Sequence, residues 1–195
     1  MRRFSSALAA SLSLALAGCG YNSIQKYDET AQAAKQQIEV QLQRRADLIP
    51  NLVSTVKGYA QQEQDVFVKV AQARSGLVGA VKGGDPAQMA DANQQLTGAL
   101  GRLMVVAEAY PQLKSDQSFL RLQDELTGTE NRIAVARTDY NGAVQTYNTY
   151  IRTFPSVLTA KVIGAKERTY FEVTNAGSRD APVVDFNKSA PPKAP

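Results

Sequence analysis

SDQSFLRLQDELTGTENRIAVARTDYNGAVQTYNTYIRTFP, residues Ser115 to Pro155, carries the cleanest periodicity in the chain. Phe119, Leu122, Leu126, Thr129, Ile133, Ala136, Tyr140, Val144, Tyr147, Ile151 and Phe154 recur at steps of three and four. Such steps line one face of an α-helix, and a mean step of about 3.5 residues makes that face a coiled-coil-like seam. Ser115-Asp116 offers an N-terminal cap, since a short oxygen-bearing side chain can accept from the first free backbone N–H groups. Pro155 ends the element. With a rise of 1.5 Å per residue the helix would be about 55 Å long. A seam of that length must be buried against other helices.

The same stepping continues upstream. In DPAQMADANQQLTGALGRLMVVAEAYP (Asp85 to Pro111), Asp85 is a cap, Pro86 sits at the first helical position, and Leu96, Leu100, Leu103, Ala107 and Tyr110 share a face. Further back, Ile24, Tyr27, Ala31, Ala34, Ile38 and Leu42 form a stripe that Ile49, Leu52, Val56 and Tyr59 continue, followed by Phe67 and Val70. Pro50 falls inside this run. It has no N–H to donate and crowds the preceding turn, which predicts a kink or break near Leu48 to Asn51. Gly76, Gly79, Gly83 and Gly84 punctuate the end of the element. Downstream, Ser156 to Ile163 fits a short helix. Thr169 to Thr174 (TYFEVT) is strand-like in composition but has no evident partner. From Ala176 the chain is polar and ends in SAPPKAP, a disordered, Pro-rich tail by composition. The expected fold class is therefore all-α: an elongated antiparallel helical bundle of three to four helices over residues 19–175, with a tail at 176–195.

The first twenty residues read differently. Arg2 and Arg3 precede an apolar run from Ala7 to Ala17, which stops at Leu16-Ala17-Gly18-Cys19. About eleven apolar residues suit a signal sequence and fall short of the ~20 that a spanning helix needs. Small residues before a cysteine resemble a lipobox. Residues 1–18 then form a lipoprotein signal peptide, and Cys19 is the lipid-bearing first residue, palmitate among its acyl chains. Gly20, in the place of an Asp, resembles the signal for delivery to the outer membrane of a two-membrane host.

The formal charge of +4 includes Arg2 and Arg3, so removing them leaves 22 − 2 = 20 basic against 18 acidic side chains. These alternate in sign, and no nucleic-acid partner is expected. There is no histidine, which removes the commonest general base and transition-metal ligand, and a single cysteine, which removes any internal disulfide. A Ser-His-Asp or Cys-His set is impossible, and so are Glu-x-x-His metal pairs. Gly83-Gly84 lacks the strand before it and the Lys-Ser/Thr after it that a phosphate loop requires. No cofactor, metal site or catalytic residue is expected. A carboxylate pair, Glu108 with Glu125 or Glu130, would need an open sugar cleft between its members.

Several polar residues lie close to the seams. Arg45 occupies a seam slot between Leu42 and Ile49, and Glu108 interrupts an apolar run. Glu130 and Arg137 are one heptad apart, with Asn141 beyond. Two readings stand: solvated flanking positions, or an interhelical network of ion pairs and hydrogen bonds that fixes register. Tyr140-Asn141 and Tyr147-Asn148, also seven apart, read as core packing with a polar tip or as an aromatic ligand patch.

QRRADLIPNLVSTVKGYA (Gln43 to Ala60), EAYPQLK (Glu108 to Lys114) and TENRIAVARTDYNGAVQTYN (Thr129 to Asn148), with Tyr21-Asn22 ahead of them, resemble the LemA family. The resemblance runs from about Tyr21 to Pro155. It implies a membrane-anchored, predominantly helical extracytoplasmic domain with no established activity, cofactor or substrate. Family members usually carry an N-terminal membrane helix, which a lipid on Cys19 would replace. Some relatives occur beside membrane proteases, and one branch takes part in magnetosome formation. Lys35 stands where a tryptophan is usual, and Gln62 where a histidine is frequent.

Together these readings lead to a non-enzymatic, lipid-anchored, extracytoplasmic envelope protein that serves as scaffold or adaptor for protein partners. In a Gram-negative host it would face the periplasm from the outer membrane. The alternatives are a carboxylate-based cell-wall glycan enzyme, and a membrane-surface organiser using Lys161, Lys166 and Arg168 against anionic lipid.

Overall fold

The computed structural model of the protein describes residues 2–173, with side chains described from Gly20 onward. Among the described residues the chain is all-helical: α1 (Arg2–Tyr59), α2 (Gln64–Gly83), α3 (Pro86–Glu108), α4 (Pro111–Lys114), α5 (Gln117–Arg152) and α6 (Ser156–Ile163). The fold class stands as read, but six helices replace the expected three to four. The expected disordered tail at 176–195 and the side chain of Cys19 lie outside what is described.

The largest departure is at Pro50. α1 runs unbroken through it for 58 residues. A proline there leaves the carbonyl of Ala46 without its helical donor. Arg74 of α2 supplies one: its Nε donates to the Ala46 oxygen at 2.8 Å. The Pro50 ring itself faces solvent. The break comes instead at Ala60 to Glu63, and α2 then continues through Gly76 and Gly79, both of which point into open space. Each costs roughly 0.5–1 kcal/mol of helix stability relative to alanine. Phe67, Val70 and Leu77, buried on the opposite side, offset that loss. The helix stops at Gly84, whose φ of 71° is left-handed and suits a residue without Cβ.

The caps follow the sequence. Asp85 accepts from the Ala87 N–H at 2.9 Å, with Pro86 as the first helical residue of α3. Asp116 accepts from Ser118 and Phe119 at 2.8 and 3.0 Å and starts α5. At 36 residues α5 is close to the expected length.

α1 and α5 pack antiparallel along most of their described length, with Tyr27 edge-on to Tyr150 at one end and Arg45 beside Glu130 further along. α2 and α3 pair with each other, and α2 also packs on α1. The core joins Ile38, Leu42, Ile49 and Leu52 of α1 to Leu77 of α2, Met89 and Leu96 of α3, and Ile133 and Tyr140 of α5. Ten of the α5 seam residues point inward as the heptads require, Leu122 only partly. Phe154, beyond the helix end, is 76% exposed. The tight α2–α3 contact is not repeated between α3 and α5, whose backbones stay apart. A gap is left there.

Candidate functional site

That gap is a cleft of about 640 Å³. Asn93 and Gln94 form its α3 wall, Glu130, Ile133 and Arg137 its α5 wall, and Phe171 to Val173 close one side. Under it lies Arg45, only 4% exposed. One Arg45 Nη reaches Asn93 Oδ1 and Glu130 Oε2, and the other donates to Thr97 Oγ1 at 3.0 Å. Glu130 Oε2 is close enough for a strong charge contact but outside aligned hydrogen-bond geometry, and Arg45 Nε is buried with no hydrogen-bond partner. Burial depresses the Arg45 pKa, and the Glu130 charge opposes that shift. A cation thus ties α1, α3 and α5 together beneath the cleft. Half of the Glu130 side chain remains in solvent.

A second arrangement sits beside the first. After α6, residues 165–173 leave helical geometry and lie along α5. Asn148 Nδ2 donates to the Arg168 carbonyl at 2.9 Å while its Oδ1 accepts from the Arg168 N–H at 2.8 Å. Asn141 does the same at Phe171, at 3.3 and 2.9 Å. Tyr140 Oη donates to the Thr169 carbonyl at 2.7 Å. Seven helical residues rise about 10.5 Å and three extended residues span about 10 Å, so asparagines one heptad apart meet every third residue of an extended strap. This is the partner that TYFEVT lacked in sequence: side-chain amides rather than a neighbouring strand.

Arg168 then ties the strap to α1. Its Nε and Nη2 hold both carboxylate oxygens of Asp28 at 2.7 and 3.0 Å, and Nη1 donates to Gln32 Oε1 at 3.2 Å. The guanidinium also lies 5.9 Å from the centroid of the Tyr147 ring. The hydrogen bonds to Asp28 raise the Arg168 pKa, and burial raises that of the Tyr147 phenol.

The five polar residues singled out from sequence therefore separate. Arg45 and Glu130 meet. Asn141 belongs to the strap. Arg137 is exposed on the cleft wall. Glu108 is exposed too, eleven residues beyond Thr97 along α3, or about 16 Å. It borders a different, smaller cavity with Lys114 and Phe119. Heptad spacing put these residues on plausible faces but could not tell the inside of a seam from its edge. Asn93, Thr97 and Arg168, which complete both arrangements, gave no such signal: none interrupts an apolar stripe.

No group of three or more Cys, Asp or Glu among the described residues could hold a metal ion. Of the three carboxylates read from sequence, Glu130 lines the α3–α5 cleft, Glu108 borders the smaller cavity, and Glu125 is exposed on α5.

A model of the LemA family matches residues 34–186. The chain belongs to the LemA family. Two magnetosome proteins MamQ of Paramagnetospirillum magneticum are each 32% identical to it, over 84% of this chain and 68% of theirs. Protein LemA of Metamycoplasma hominis is 25% identical over 68% of this chain and 60% of its own length. The family match supports a membrane-associated envelope protein. No helix among the described residues is long and apolar enough to cross a membrane. At the two departures from the LemA pattern, Lys35 forms an ion pair with Glu39 at 3.4 Å, and Gln62 is exposed in the turn between α1 and α2.

Proposed function

We propose that this LemA-family chain is a non-enzymatic scaffold or adaptor, anchored in the cell envelope through lipid on Cys19 and facing away from the cytoplasm. It holds an extended segment of a partner protein in the cleft between α3 and α5. The observation that carries this reading is the strap. The bundle already binds an extended backbone through paired side-chain amides, and Gln94 presents a further amide along the adjoining cleft, next to Asn93, whose Oδ1 is held by Arg45. Backbone recognition by amides gives affinity without demanding one partner sequence, as suits an adaptor. Gly20 after the lipidated cysteine favours the periplasmic face of the outer membrane in a host with two membranes.

The test is a photo-crosslinking residue at Gln94 in living cells, with the same residue at exposed Val105 of α3 as control. Capture of the same protein from Gln94 but not from Val105 supports the adaptor. Absence of any product specific to Gln94, with cell-wall turnover that changes on Glu130→Gln, moves the reading to the glycan enzyme. The surface-organiser reading in its original form loses a residue, because Arg168 is engaged by Asp28 and turned into the fold.

A further inference from the structure

α6 buries the wrong residues for a helix that ends its interactions at the bundle. Its inward face is small: Ser156 and Ala160, set against Ile24, Tyr147 and Ile151. Its outward face is large and apolar. Leu158 is 58% exposed and Val162 87%, and Phe154, in the turn just before α6, is 76% exposed. Residues four apart stack along one helix side, so Leu158 and Val162 form an apolar strip, and Phe154 adds an exposed ring in the turn that leads into α6. Exposed apolar residues scattered singly are normal, but a grouping of this kind marks a surface made to be covered.

Its place in the fold says by what. α6 packs on α1 at Gly20: a Cβ built there would lie 3.1 Å from Thr159 Oγ1. Gly20 is one residue from Cys19, and the apolar run Ala7 to Ala17 continues α1 on the far side. Whether the anchor is that run or a lipid on Cys19, the bilayer surface lies level with α6. Lys161 is exposed on α6 and Lys166 just after it, two positive charges that suit anionic headgroups, with Glu167 beside them paired to Arg152.

We infer that α6 is an interfacial helix whose outward Leu158 and Val162, with Phe154 in the turn ahead of them, insert into the headgroup–acyl boundary of the membrane leaflet. Two contacts, the anchor and α6, then fix the tilt and rotation of the bundle on the membrane. Burying such a surface to ~5–10 Å is the usual depth for helices of this kind. The inference does not depend on the adaptor reading, since it concerns orientation and not the partner.

The chain contains no tryptophan, so one introduced residue is the sole indole reporter. Full-length Phe154→Trp and Leu158→Trp are reconstituted in vesicles of phosphatidylethanolamine and phosphatidylglycerol, with or without bromine on the lipid acyl chains. Val135→Trp, exposed on α5 nineteen residues before Phe154 and so about 28 Å along the helix, is the control. The expected result is blue-shifted emission at 154 and 158 that loses most of its intensity to brominated lipid, with Val135→Trp unaffected. Emission at 154 and 158 that matches the control overturns the inference. So does a blue shift without quenching, which means this surface is covered by protein, and so does equal quenching at all three positions. Helix content by circular dichroism identifies any variant that has not folded. Val162→Asp in the Leu158→Trp chain should restore solvent-like emission, and retention of the quenched signal counts against the strip as the inserting surface.

Discussion

Asn148 bonds to Arg168 twice, once as donor and once as acceptor, so a side chain of α5 occupies both backbone groups of one strap residue. Asn141 repeats this at Phe171. Asn148 is buried, so its loss leaves a shielded N–H and carbonyl without partners. Asn148→Ala should destabilise the domain by about 1–3 kcal/mol and speed amide hydrogen exchange at Arg168. Asn148→Asp keeps the acceptor, loses the donor and should fall between. Urea unfolding with exchange at residues 165–173 checks both, and unchanged exchange in Asn148→Ala would show that the strap is held by other contacts.

Pro50 and Arg74 should be energetically coupled. Arg74→Met leaves the Ala46 carbonyl unpaired and should cost roughly 1–3 kcal/mol. In a Pro50→Ala background the helical N–H returns, and the same substitution should cost markedly less. A double-mutant cycle in urea measures the difference. Additive costs would mean that Arg74 acts only through packing.

At the Arg45 cluster the two charges are not equivalent. Removing Glu130 strands a buried cation, whereas removing Arg45 leaves a carboxylate with one buried oxygen but half of its side chain in solvent. Glu130→Leu should therefore destabilise more than Arg45→Leu, by ~1 kcal/mol or more, even though Arg45 is the more buried residue. Denaturation midpoints of the two variants decide it, and the reverse order would show that the hydrogen bonds to Asn93 and Thr97 dominate.

The Asp116 cap should give the domain an acid limit. The Phe119 N–H and then the Tyr59 hydroxyl hold its carboxyl below the usual carboxylate range. A group depressed on folding binds fewer protons in the native state than in the unfolded one. Its contribution is present above the unfolded value of about 4 and is lost as pH falls through the lower folded value. Wild type should lose urea resistance more steeply than Asp116→Asn below about pH 4. Parallel curves would place the acid sensitivity elsewhere.

Cys19→Ser should abolish lipid attachment. Fractionation and intact mass should show an unprocessed or released chain in place of a membrane-bound, lipid-bearing one. A wild-type chain with no lipid mass would remove the anchor as read.

The seams of α1, α3 and α5 were legible because burial imposes a period on the residues themselves. Ile133, Tyr140 and Val144 lie where that period puts them. The continuity of α1 was not, because the group that satisfies the Ala46 carbonyl comes from Arg74, 28 residues downstream, and no local signal reports it. Thr169 to Thr174 reads as strand-like without a partner, since strand composition records an extended backbone but not what binds it. The Tyr140-Asn141 and Tyr147-Asn148 repeat was visible as a heptad and was read as packing. Its amides serve the strap, which periodicity cannot show. For Glu108 and Arg137, a position near the seam said nothing about depth.

The link from Arg168 to Asp28 joins residues 140 apart in sequence. α1 and α2 can pair early, but the strap cannot close over α1 and α5 until nearly the whole domain is present to fold. A chain cut short after α6 would carry every long helix and lack this clasp, with Asp28, Gln32, Asn141 and Asn148 left facing nothing.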